Sequence, residues 1–362
     1  MKKNWKFATM ALIAGVSLFA TSCSSDEDPV NNPGDGGEDT YVLDSDITEN
    51  VTLETGKTYT LNGGVHVKSG ATLTIQPGVT IVAQHDETVD YILIEQGAKI
   101  DAQGTAAQPI VMTSEKKEAG AWGGLHICGY AHTNNGSGKS EMGNAPYGGN
   151  NDADNSGTLK YIRLEYTGYA FDEEHEANGV SFYGVGNGTT VEHLQAYQEG
   201  ESSLGYACDC LMECDNNGTN NAATPVAHPT IANATLIGNG GDAQGVRLRA
   251  GTQVELYNTI ITGKGKPLTV ETNETENALK DGTSKLEYVA ISGELSSKQG
   301  IYTNADFAQA TGNLTNQEFS WTGKYVGTLD GGKDLSADSF FTKTDYKGAV
   351  KSGDDWTSGW TL

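Results

Sequence analysis

Five segments share one layout: Leu159–Gly168, Val191–Gly200, Thr230–Gly238, Val254–Gly263 and Leu286–Gly293. Each carries a short run of alternating apolar residues and stops at a glycine. The closing glycines stand 25 to 38 residues apart. That period fits one coil of a solenoid, three short strands with three turns, and insertions into turns explain the unequal spacing. A propeller blade needs four longer strands, which these repeats do not supply. Further short runs precede the repeats: Val65–Val67, Leu73–Ile75, Thr80–Val82, Ile92–Ile94 and Ile110–Met112. Sustained helical periodicity is missing, so helices should be nearly absent. The expected fold is all-β, a right-handed parallel β-helix forming a single domain over residues 41–362.

The N-terminus carries a targeting pattern separate from the repeats. Lys2, Lys3 and Lys6 precede an apolar stretch, Ala8–Ala20, too short to span a bilayer. Ala20-Thr21-Ser22-Cys23 resembles a lipobox, with Ala20 where leucine is usual. Residues 1–22 thus read as a lipoprotein signal peptide, with Cys23 as the lipidated residue. Residues 23–40 are rich in Ser, Asp, Glu, Pro and Gly, a composition expected of a disordered acidic tether. Serine and acids directly after the cysteine resemble a surface-export signal of Bacteroidota lipoproteins. The expected address is the outer membrane, lipid-anchored and facing outward.

Along the body the match widens. It includes Gly70–Gly78, Ile94–Gly104, Pro109–Ser114, Trp122-Gly123-Gly124, Tyr147–Gly157, Leu159–Tyr166, Asn178-Gly179, Gly184–Thr190 and Asp355-Trp356. These segments resemble a family of Bacteroidota surface lipoproteins with a pectin-lyase-like β-helix. The resemblance implies a fold and a location and brings no settled activity. Where family members carry an acidic, aromatic stretch, this chain has Cys208–Asp215.

Charge narrows the function classes. The chain has 47 acids against 23 bases, a net charge of −24. Such a surface repels nucleic acid and anionic headgroups. Uronate lyases of this fold use a basic residue as base and calcium to neutralise the substrate. Only three arginines occur: Arg163, Arg247 and Arg249. Between Arg163 and Arg247 there are twelve acids and neither arginine nor lysine. Arg247 and Arg249 share one strand face and are expected to meet acids of a neighbouring coil.

Other constellations give candidate sites. Asp152, Asp154 and Ser156 space oxygens as calcium loops do, so calcium is the expected cofactor, against a plain Asx turn. Glu165, Tyr166, Tyr169 and Tyr197 are the candidate ligand-binding residues. Cys208, Cys210 and Cys214, with Cys128, read first as disulfide partners, then as buried thiols, then as a metal set. The indoles of Asp354–Trp360 are expected to cap the last coil. The preferred role is a non-enzymatic binding or adhesion module for a glycan, protein or nutrient, acting beside an outer-membrane transporter. A β-helix carbohydrate-active enzyme and a structural spacer are the alternatives. No catalytic residue is assigned.

Overall fold

The computed structural model describes residues 41–362 apart from 85, 87, 170–176, 198–209, 239, 242–243 and 322–326. Cys23, the segments around it, Cys208 and Gly200 lie outside the described residues. Thr40–Leu362 forms one unit.

Short parallel strands stack in register on three faces. One face runs Val51–Leu53, Thr72–Ile75, Lys99–Gln103 and the start of Gly157–Glu165. A second runs Tyr41–Leu43, Thr58–Leu61, Thr80–Ala83, Ile110–Ser114 and the end of Gly157–Glu165. The third runs Gly64–Val67, Tyr91–Ile94, Leu125–Cys128 and Val180–Tyr183. Thr190–Tyr197 adds a further strand beside Gly157–Glu165. The architecture is a parallel β-helix, as the repeat predicts. Alternation puts every second side chain inside, where equivalent residues form columns such as Leu53, Ile75, Ala102 and Leu159. All four are buried, and burying a side chain of leucine or isoleucine size contributes roughly 1.5–3 kcal/mol.

A second stack follows. Cys210–Asp215, Gln244–Arg249, Lys266–Val270 and Leu295–Ser297 form one face. Thr230–Ala232 and Thr235–Ile237, Glu255–Thr262 and Lys285–Ile291 form the other. The stacks have separate cores, one around Ile100 and Ile162, the other around Leu256 and Val289. Among the described residues no strand pair joins them.

The five repeats are the strands that turn a corner without leaving the sheet. Tyr161, His193, Asn233, Asn258 and Tyr288 occupy the same repeat position, and all have φ between +48° and +56°. Asparagine and histidine tolerate this left-handed conformation, whereas tyrosine is strained there. Stacking offsets the strain in the first stack, where Tyr161 and His193 lie 4.1 Å apart and 15° from parallel. In the second stack Asn258 donates from Nδ2 to the Lys333 carbonyl and accepts at Oδ1 from the Lys333 N–H, at 2.9 and 2.7 Å. The same asparagine therefore makes the corner and docks a C-terminal segment on it.

The last coil is not capped by the indoles. Thr311–Gln317 lies along Lys285–Ile291, and the Ile291 N–H and Leu314 N–H bond across that edge. The short helix Asn304–Gln309, held by a Thr303–Asp306 capping box, sends Phe307 into the core. Trp356 and Trp360 instead reach the Tyr161–His193 corner in mid-chain. Nothing in their local spacing specifies that long-range return.

Candidate functional site

The strand Leu125–Cys128 leaves the third face and leads into the insertion that ends at Gly157. Its hairpin, Gly138–Lys139 with Pro146–Tyr147, folds over the outer side of that face. The Gln96 side-chain amide clamps the insertion by donating to the Gly129 and Gly148 carbonyls, at 2.8 and 2.9 Å. Beyond this clamp His132 meets Asp152. The His132 N–H and ring Nδ1 both bond Asp152 Oδ1, at 3.0 and 2.8 Å. Those bonds hold the Asp152 carboxyl below the usual carboxylate range. An ionised carboxylate only accepts, so Nδ1 carries the proton.

The turn after Val180–Tyr183 packs directly on this loop and supplies more of the lining. The Asn187 N–H donates to the Asp152 carbonyl at 2.9 Å, and the Gly188 N–H to that of Asp154 at 3.0 Å. Gly186 is packed so closely that an added Cβ would lie 2.5 Å from the Asp154 nitrogen. Pro225, in the loop before the second stack's Thr230 strand, completes the surround. The result is an open cleft of about 600 Å³ lined by Ala131, His132, Asp152, Val185, Gly186, Asn187 and Pro225. Beside it, Asn134 Nδ2 donates to Asn216 Oδ1 at 2.7 Å and Asn217 Nδ2 to Asn135 Oδ1 at 2.6 Å, tying the loops of the two stacks together.

The three residues of the suggested calcium loop part company. Asp154 and Ser156 turn inward and are buried, with the Ser156 hydroxyl donating to Asp154 Oδ2 at 3.1 Å. Asp152 turns out to His132. Among the described residues no three His, Cys, Asp or Glu side chains gather as a metal set. The donors do not fit one calcium shell, and the geometry is that of an Asx-rich turn.

Glu165, Tyr166 and Tyr197 do come together. Glu165 is buried, accepting from the Thr113 hydroxyl at 2.8 Å and from Arg163 Nε at 2.6 Å. It therefore anchors the corner instead of facing a ligand. Tyr166 and Tyr197 meet edge to face at 6.1 Å, with the Lys117 ammonium over the Tyr166 ring. Tyr169 sits further along, its N–H donating to the Trp122 carbonyl.

The expected disulfides are corrected for two of the described cysteines. Cys128 and Cys214 are free thiols. Cys210 and Cys214 are four apart on one extended strand, roughly 13 Å, well beyond a disulfide's reach. Cys128 packs under the insertion with Leu93 and Ala145, while Cys214 joins the second core. Burial pushes both thiols up to about 11.

Arg247 and Arg249 behave as their strand face predicts. Pairing sets Glu213 beside Arg247 and Asp215 beside Arg249. Arg247 lies 3.6 Å from Glu213 and 3.3 Å from Glu271, and Arg249 lies 2.6 Å from Glu213. Arg163 is paired with Glu165 at 2.6 Å. All three arginines are thus matched to carboxylates.

The family model described as Pectate-lyase like beta helix domain matches residues 45–208 and again 203–361. The chain belongs to this pectate-lyase-like β-helix family. No curated protein and no solved structure matches it. The two matches of this β-helix family meet between the two stacks, and the cleft lies at the same junction. His132, Val185, Gly186, Asn187 and Pro225 carried no chemical signal in the sequence. Val185, Gly186 and Asn187 do sit within the glycine-rich segment Gly184–Thr190 of the family resemblance.

Proposed function

We propose that this protein is an exported, lipid-anchored, surface-facing module that binds a glycan without turning it over, beside an outer-membrane transporter. The observation that carries this reading is the cleft between the stacks. It is open, has the volume of a ligand site, and mixes apolar walls at Val185 and Pro225 with hydrogen-bonding groups at His132 and Asp152. The arginine pairing supports binding over uronate elimination, since each guanidinium already serves a carboxylate. The Asp152–His132 pair favours the enzymatic alternative, as an oriented base.

A glycan array with the soluble body tests the reading, run with reducing-sugar and unsaturated-product assays. Binding without product is expected; turnover of any polysaccharide sinks it. The address has its own test: radiolabelled palmitate should enter the full chain and not the Cys23→Ser variant. Equal labelling of the two would remove Cys23 as anchor.

A further inference from the structure

We infer that the cleft selects uncharged, hydroxyl-bearing sugars over uronates, with Asp152 Oδ2 as the group that reads the hydroxyls. The inference rests on the glycan-binding reading above and specifies its ligand class.

The argument starts from hydrogen-bond capacity. His132 engages only Oδ1, by ring and backbone. Oδ2 takes no hydrogen bond from any described residue, and the Asp152 side chain is 68% exposed at the cleft. A carboxylate is an acceptor with no donors, so its complement is a group that donates, such as a sugar hydroxyl. Charge-assisted bonds of this kind are shorter and stronger than neutral ones. His132 fixes the carboxylate's orientation, which makes it a positioning residue. It reduces the conformational freedom Asp152 must lose on binding.

The lining also says what is refused. Neither lysine nor arginine lines the cleft. A uronate placed there brings a second negative charge to an ionised Asp152, with neither lysine nor arginine in the lining to answer it and with His132 already engaged by Asp152. Val185 and Pro225 supply apolar surface for the C–H face of a pyranose ring. Exposed Asn187, whose N–H bonds the Asp152 carbonyl, supplies beside it a side-chain amide that can both donate and accept. The set matches a neutral sugar: donors toward Asp152, mixed groups toward Asn187, and C–H bonds toward the apolar walls.

Isothermal titration of the soluble body with manno-, xylo- and cello-oligosaccharides, oligogalacturonate and chitosan oligomers decides it. At least one neutral oligosaccharide should bind, and oligogalacturonate should bind at least about tenfold more weakly. Asp152→Ala should weaken neutral binding by about tenfold or more, and Asn187→Ala should weaken it independently. His132→Ala should cost less, with His132→Gln recovering part of the loss, since an amide can still donate to Oδ1. Circular dichroism melts that match the parent exclude unfolding as the cause. Preferred binding of oligogalacturonate or of the cationic chitosan oligomers overturns the charge selection while leaving glycan binding intact. Neutral binding unaffected by Asp152→Ala overturns the role of Oδ2. Failure of every sugar to bind removes the glycan-binding reading, and the inference with it.

Discussion

Replacing Trp360 with alanine is expected to destabilise the protein by about 3–5 kcal/mol. The indole is 1% exposed although it lies two residues from the end of the sequence. It meets Tyr161 edge to face at 5.4 Å and His193 at 6.2 Å. Its Nε1–H donates to the Trp356 carbonyl at 2.8 Å, and its own carbonyl accepts from Arg163 at 3.1 Å. One residue thereby closes the strained left-handed corner of the first stack. Truncation opens a cavity beside two rings whose backbone conformation depends on being packed. Trp356 is 39% exposed and gives the internal control. Its substitution by alanine should cost roughly 1–2 kcal/mol, the lost Nε1–H bond to Ala349 included. Urea unfolding monitored by circular dichroism measures both. A Trp360→Ala cost no larger than that of Trp356→Ala would mean that the C-terminal segment merely rests on the corner.

The contrast between those indoles and the five repeats shows what a sequence like this discloses. The repeats were legible because period-2 burial and a recurring turn glycine are local signals. The corner residues, Tyr161, His193, Asn233, Asn258 and Tyr288, share one repeat position. Three of the five are tyrosine or histidine, so asparagine at the other two gave no uniform signature of the turn. Arg247 and Arg249 were legible because two-residue spacing fixes a strand face. The cleft was not, because it joins Ala131 and Asp152 to Val185 and Pro225 across turns of unequal length. Asp152, Asp154 and Ser156 illustrate the limit from the other side. Their spacing offered the donors of a calcium loop, yet the packing of Gly186 and Gly188 against the loop turned Asp154 inward and Asp152 outward. Cysteine spacing misled for one pair in the same way, because extension along one strand keeps Cys210 from Cys214.

Acid and base stability should be set by two buried groups of opposite sense. His126 is fully buried on the outer side of the third face, under the insertion. One ring nitrogen bonds the Gly123 carbonyl at 2.7 Å, and Nδ1 has no partner among the described residues. Burial pushes this imidazole down to about 4. Its folded pKa lies below the unfolded value, so the folded state resists protonation. The stability present above about pH 6.5 is lost as pH falls toward 4, by about 3 kcal/mol in full. Half-buried His193 is shifted in the same direction. Asp90 does the reverse. It is buried, Oδ1 accepting from the Gly63 N–H while Oδ2 stays unpaired, and burial pushes it up to about 6. Its neutral form is favoured in the fold, so stability is lost as pH rises from about 4 to 6, again by about 3 kcal/mol. The most strongly depressed carboxylates, Asp306 and Asp334, are held near 2 and act only at lower pH. Across the window from about pH 4 to 6.5 the two buried groups therefore offset each other, and the parent protein should show a nearly flat melting profile. Asp90→Asn removes the offset, so its midpoint should fall steeply on going from about pH 7 to about pH 4.5. His126→Asn should do the opposite and rise over the same interval. The Gly123 N–H bonds the Asp90 carbonyl while the Gly123 carbonyl holds His126, so the two sites share a backbone residue. The double variant measures that coupling, and it should restore the flat profile if each charge acts alone. Parallel profiles for the parent and both single variants would show that neither group carries the titration assigned to it.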